Sequence, residues 1–193
     1  IKYLFQKYQS FKILTSITNF SFNGKVEGMK LFLPILNNLI KKESNYVWFV
    51  VGNGKYLKQF KDFISMNYKN IVSNIIFLDS QESIKYIINR SNLIIYFSYE
   101  DTVSNVILEA AVEKKFIFVN KFEPLVESVN LSRENILSVN HPSKSAIKIK
   151  DILMNKNKKM FLESRLYNYV IEEHSLTKIA NKYKSVFHKL NEY

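Results

Sequence analysis

The sequence has no cysteine, and that absence removes disulfides, thiolate metal sites and thiol nucleophiles together. Its three histidines, His141, His174 and His188, are widely spaced and form no metal-ligand motif, so a metalloenzyme reading is poor. No apolar run approaches the ~20 residues that a membrane-spanning helix requires. Internal repeats, Gly/Ser linkers and low-complexity blocks are also missing. The opening, Ile1-Lys-Tyr-Leu-Phe-Gln-Lys-Tyr-Gln9, has no initiator Met and is too short for a signal peptide, so the chain reads as a piece of a longer protein.

What is present suits a globular domain. The chain has 193 residues, 47% of them hydrophobic and 23% charged, which is enough for one α/β domain with a substantial core. Its net charge of +11 asks for an acidic partner or an acidic surface. The lysines are spread along the chain, and the densest run, Lys144 to Lys159, reads first as a solvated helix face. Recognised nucleic-acid motifs are absent, so no nucleic acid is expected. A peripheral contact with anionic lipid headgroups is compatible with the charge.

Strand-like and helix-like patterns alternate. Strands are expected at Phe11–Thr18, Tyr46–Val51, Asn74–Leu78, Leu93–Phe97, Phe116–Val119 and Ile136–Val139. Helices are expected over Val26–Lys42, Tyr56–Met66, Ser83–Ile88, the stretch around Asn105 to Val112, and Leu125–Ser128, with two or three more after Pro142. Near-continuous apolar strands such as Tyr46-Val-Trp-Phe-Val-Val51 are those of a sheet covered on both faces. The fold class is therefore α/β: a Rossmann-like, doubly wound parallel sheet of about six strands over residues 11–140, followed by carboxy-terminal helices over 143–193. The dinucleotide fingerprint is missing, since Val51-Gly-Asn-Gly54 is too short for it, and an oxidoreductase is disfavoured.

Four segments carry a more specific signal. Asn23-Gly-Lys-Val-Glu-Gly28 stands before a long helix, and Phe49-Val-Val-Gly-Asn-Gly54 ends a strand. Tyr86 to Ser98 passes from helix to strand, and Asp101 is separated by seven residues from Glu109-Ala-Ala. In this order, over roughly Phe11 to Val139, they resemble the carboxy-terminal, donor-binding half of GT-B fold retaining glycosyltransferases (glycosyl transferases group 1 type), a class that includes mannosyltransferases. Asp101 stands where that pattern has Glu, Thr102 where it has Gly, and Asn19 where it has the Arg before its Lys-Gly step.

The resemblance implies transfer of a hexose, with retention, from a UDP-, GDP- or ADP-linked sugar, without a metal or other cofactor. The acceptor, a sugar or lipid-linked sugar, would be held by an amino-terminal domain outside this chain, in the cytoplasm or on the inner face of the membrane. It implies Asp101, Glu109 and Lys25 as the catalytic set. Lys25 would meet the diphosphate, and Glu109 the ribose hydroxyls. Asp101, or Glu100 beside it, would meet hydroxyls of the donor sugar. Thr102, Val103 and Ser104 would offer backbone N–H groups, and Asn19, Gly52, Ser98 and Asn105 complete the donor-binding set. On spacing alone, Asn105, Glu109 and Glu113 form a solvated stripe on one helix face, Gly52 marks a tight strand exit, and Ser104 is an N-cap. The altered positions also leave room for a catalytically inactive GT-B-like module that docks on a membrane or protein through its basic surface.

Overall fold

The computed structural model describes residues 1–79, 83–101 and 104–190. In chain order the elements are α1 (Lys2–Lys7), β1 (Lys12–Ile17), α2 (Asn23–Lys30), α3 (Leu33–Lys42), β2 (Tyr46–Val51), α4 (Leu57–Asn67), β3 (Ile75–Leu78), α5 (Ile84–Arg90) and β4 (Leu93–Tyr96). There follow α6 (Asn105–Val112), β5 (Ile117–Asn120), α7 (Glu123–Ser128), β6 (Ile136–Leu137), α8 (Pro142–Met154), α9 (Lys156–Glu173) and α10 (Leu176–Leu190). The six strands form one parallel sheet in the order β3-β2-β1-β4-β5-β6. This is the Rossmann-like α/β architecture expected from the sequence.

Strand period explains the two cores. Tyr46, Trp48 and Val50 face one side with Leu14, Ile95 and Phe118, under α2, α3, α4 and α8. Val47, Phe49 and Val51 face the other with Ile13, Ile94 and Ile117, under α1, α5, α6, α7 and α9. The chain leaves β1 for β2 and β3 on one side and returns to β4 on the other, so the order reverses between β1 and β4. Only Leu14–Leu93 and Thr15–Ile94 are registered across that junction. Buried hydroxyls reinforce it: Ser16 Oγ donates to the Ile95 carbonyl at 2.6 Å and accepts from the Trp48 indole at 3.0 Å, while Thr15 and Ser91 share a bond of 2.6 Å.

The expected helix over Val26–Lys42 is two helices, and the first begins three residues earlier, at Asn23. Pro34 explains the break. It has no N–H for the Lys30 carbonyl, and its ring crowds that turn. The chain tightens instead, with Leu31 N–H on Gly28 O and Phe32 N–H on Met29 O, each at 3.1 Å. Helix α1 was not read from the sequence; Phe5 holds it by edge contacts with Phe49 and Tyr86 at 4.9 and 5.8 Å. The run Ile136–Val139 keeps only two strand residues, because the Ser138 carbonyl is taken by Ser145 Oγ at 2.8 Å as the chain turns into α8.

Opposite the strands' carboxyl ends, Glu43 bridges Lys12 at 2.5 Å and Lys150, joining β1 to α8. Its bond to Lys12, then that to Lys150, lowers the Glu43 carboxyl from its ordinary 4.5 to about 2. A depressed carboxylate pKa adds stability that is complete above about pH 4.5 and is lost as pH falls toward 2. Urea midpoints measured across that window should fall more steeply for the native chain than for Glu43→Gln. Parallel curves would show that the triad contributes nothing.

Candidate functional site

A crevice of about 520 Å³ opens at the carboxyl ends of β1, β2 and β4, lined by Thr18, Asn19, Lys25, Gly52, Asn53, Tyr96, Asp101, Ser104 and Asn105 among others. Its place is the reversal point between β1 and β4, where open α/β sheets bind ligands. Helix α6 begins at its mouth, so the positive end of the helix dipole faces the hollow.

The walls are set by close backbone approaches. Gly52 has φ +137°, and a Cβ there would lie 1.9 Å from the Thr18 carbonyl oxygen, so glycine is required for the two strand exits to meet. At Gly28, in α2, a Cβ would lie 2.7 Å from the Phe97 carbonyl oxygen and from Ser98 Cα. Helix α2 therefore lies directly against the turn after β4. Asn120, at the end of β5, fixes that turn from the other side: its amide accepts Ser98 N–H at 2.9 Å and donates to Ser98 O at 3.0 Å.

These contacts bring together residues 76 positions apart in the chain. Lys25, in the first turn of α2 and not ahead of the helix, pairs with Asp101 at 3.3 Å, with side-chain exposures of 17% and 21%. Asp101 Oδ2 accepts from Tyr96 OH and from Ser98 Oγ, the latter at 3.0 Å. Burial, then the bond to Asp101, raises the Tyr96 phenol above its ordinary value, so it remains a donor. Lys25 also lies 5.7 Å from the centre of the Phe22 ring.

Of the two candidate acids in the turn, Asp101 is the one that lines the crevice. Glu100 instead accepts the Gly24 N–H at 2.8 Å, capping the start of α2. Ser104 is the N-cap of α6 but makes no side-chain cap bond; its hydroxyl turns to the Tyr96 phenol. Asn19 bonds the Ser21 N–H at 2.9 Å and forms a local turn. Thr102 and Val103 lie outside the described residues.

Glu109 is exposed one turn outward along α6, in a neighbouring groove of about 570 Å³ between α5 and α6. Ile84 lines both hollows, so they adjoin. Glu113 is tied to Lys85 at 2.9 Å and Asn89 at 2.7 Å, and belongs to the helix surface. The sequence reading missed Tyr96 and Asn120. Each is the polar last residue of an apolar strand, Leu93-Ile-Ile-Tyr96 and Ile117-Phe-Val-Asn120, and that position is the signal that could have found them.

The family of glycosyl transferases group 1 matches residues 12–155. A comparison with curated proteins finds no match. Among solved structures, HepE of Anabaena in complex with UDP and glucose aligns with a TM-score of 0.79 at 14% identity, over 97% of this chain and 51% of that one. A TarM variant of S. aureus in complex with fondaparinux, alpha-GlcNAc-glycerol and UDP gives 0.78 at 16% identity, over 92% and 36%. A glycosyltransferase from Rickettsia africae gives 0.76 at 17% identity, over 97% and 51%. This chain thus spans about half of those structures or less. With the family match running from β1 to the end of α8, the chain belongs to glycosyl transferases group 1, and its fold is the carboxy-terminal-like half of a GT-B glycosyltransferase.

Proposed function

We propose that this chain is the donor-binding half of a retaining hexosyltransferase that uses a nucleotide-diphosphate sugar. One observation carries the reading: Lys25 and Asp101 meet in the reversal-point crevice below the start of α6, with Glu109 one turn outward. A diphosphate in the crevice would have the Lys25 ammonium and the α6 dipole beside it, and the ribose would reach the Glu109 carboxylate. As the sugar leaves, negative charge grows on the diphosphate, and fixed positive groups lower the barrier by meeting it there. The charge that does this is the protein's own. Asp101 would take hydroxyls of the sugar, and backbone N–H groups of Thr102, Val103 and Ser104 would meet sugar or phosphate. UDP is the first candidate, because the TarM and HepE structures are described as UDP complexes, with GDP and ADP next. The acceptor, a sugar or lipid-linked sugar, would be bound outside this chain, in a cytoplasmic or peripheral-membrane setting.

Isothermal titration with UDP, GDP and ADP tests the donor site; no binding by any of them at millimolar concentration removes it. Glu109→Gln should weaken the diphosphate that binds by about 1.5–3 kcal/mol, the range for hydrogen bonds to a charged group. Stability should change by less than about 0.5 kcal/mol, since the side chain is exposed. Retention is read from the anomeric configuration of the full-length enzyme's product.

A second reading, a non-catalytic docking module, is favoured by α10. Leu176, Ile179, Tyr183, Val186 and Phe187 lie exposed at helical spacing beside Lys178, Lys182 and Lys184, and 176–190 contains no acid. Co-sedimentation with anionic liposomes, without nucleotide binding, would select that reading.

A further inference from the structure

Tyr96 holds a polar atom where packing alone asks for none. It ends an apolar strand, is 4% exposed, and lies in the core between sheet and helices. Phenylalanine would fill the same volume, so the hydroxyl needs its own account. It donates to Asp101 Oδ2, which also takes Ser98 Oγ at 3.0 Å, whereas Lys25 stands at 3.3 Å from the other oxygen. Charge-assisted N–H···O bonds run nearer 2.7–2.9 Å, so the lysine is the looser partner of this carboxylate.

We propose that Asp101 is the resting counter-ion of Lys25, and that Tyr96 is the positioning residue that lets Lys25 leave it for a diphosphate. The inference rests on the crevice being a diphosphate site. In the empty crevice a half-buried ammonium without a partner is unfavourable, and Asp101 supplies the opposite charge. When a diphosphate enters, it competes with Asp101 for that ammonium. The lysine can move, because its charge rides on a flexible four-carbon stem. Asp101 stays, because Tyr96 and Ser98 hold Oδ2 whether or not Lys25 is present. Those hydroxyls also spread the carboxylate's charge and weaken its hold on Lys25. Without the phenol, Asp101 would hold the lysine more tightly and be left poorly satisfied on its departure.

The test is a double-mutant cycle read by titration with whichever of UDP, GDP or ADP binds, and with the matching free nucleoside. Tyr96→Phe should weaken the diphosphate about tenfold and leave the nucleoside unchanged, as expected for losing a hydrogen bond to a charged group. Asp101→Asn should tighten the bare diphosphate severalfold, because the competitor for Lys25 and its repulsion of the ligand are both removed. In the Asp101→Asn background, Tyr96→Phe should have no further effect. Equal losses for nucleoside and diphosphate, or a Tyr96→Phe loss that persists without the acid, would mean that Tyr96 acts only through the fold, and would overturn the proposal. If Tyr96→Phe does not fold, Asp101→Asn decides alone: tighter binding supports the handover and weaker binding overturns it. Failure of the native chain to bind any diphosphate overturns the donor-site reading and this inference together. Binding with an additive cycle overturns this inference only.

Discussion

Gly52→Ala will remove about 3–4 kcal/mol of folding stability. The backbone at Gly52 has φ +137°, a region that costs a side chain of order 1–3 kcal/mol. A second term comes from contact, because the added Cβ would sit 1.9 Å from a backbone oxygen, that of Thr18. Neither side can yield easily: Gly52 N–H donates to Leu78 O at 2.9 Å and Thr18 N–H to Val51 O at 3.0 Å, so both strand exits are anchored. Gly24→Ala is the matched control. The atoms nearest to its Cβ would be those of the exposed Glu100 side chain, from 2.4 Å, which can swing away at the expense of its bond to the Gly24 N–H, so the loss there should stay near that of a helix cap, about 1 kcal/mol. Urea unfolding of the two variants measures the difference. Equal losses would mean that the Thr18–Gly52 approach relaxes, and the rigid wall assigned to the crevice would have to be abandoned.

Lys25→Ala should cost at least a hundredfold in nucleoside diphosphate affinity, or about 3 kcal/mol, as for truncating one member of a half-buried charge pair. Two effects act in the same direction. The ligand loses the ammonium, and Asp101 is left as an uncompensated carboxylate facing an incoming anion. Affinity for the free nucleoside should change little, because it carries no phosphate for either charge to act on. Titration of both ligands against the variant separates these outcomes. Similar losses for both would mean that Lys25 supports the fold of the crevice and does not meet the diphosphate.

The sheet was legible because its strands are short apolar runs set between polar exits, and buried parallel strands have that composition. The helical spacing of Met29, Phe32, Leu33 and Leu36 was equally clear, and it concealed a break. The apolar rhythm runs through Pro34 without interruption, because both short helices bury the same face. The candidate acids Asp101 and Glu109 were legible only through the family resemblance of their seven-residue separation; helical spacing by itself made Glu109 part of a solvated stripe. Their division between two adjoining hollows was not legible, since it depends on how far α6 runs along α5. The meeting of Lys25 with Asp101 is a product of strand order, and neither local sequence contains it. Glu163 was also passed over. It reads as one more surface charge on α9, yet it is 9% exposed, accepts Phe116 N–H at 3.0 Å and pairs with Lys159 at 3.1 Å, fixing the entry to β5.

Gly28 has a consequence for selectivity by size. With no side chain between α2 and the Phe97–Ser98 backbone, the helix carrying Lys25 and the turn carrying Asp101 touch main chain to main chain. The spacing of their backbones is a constant of the fold and cannot widen through a rotamer change. On this side the crevice is a fixed gauge: its width is set by main chain against main chain, and only the side chains that line it can adjust.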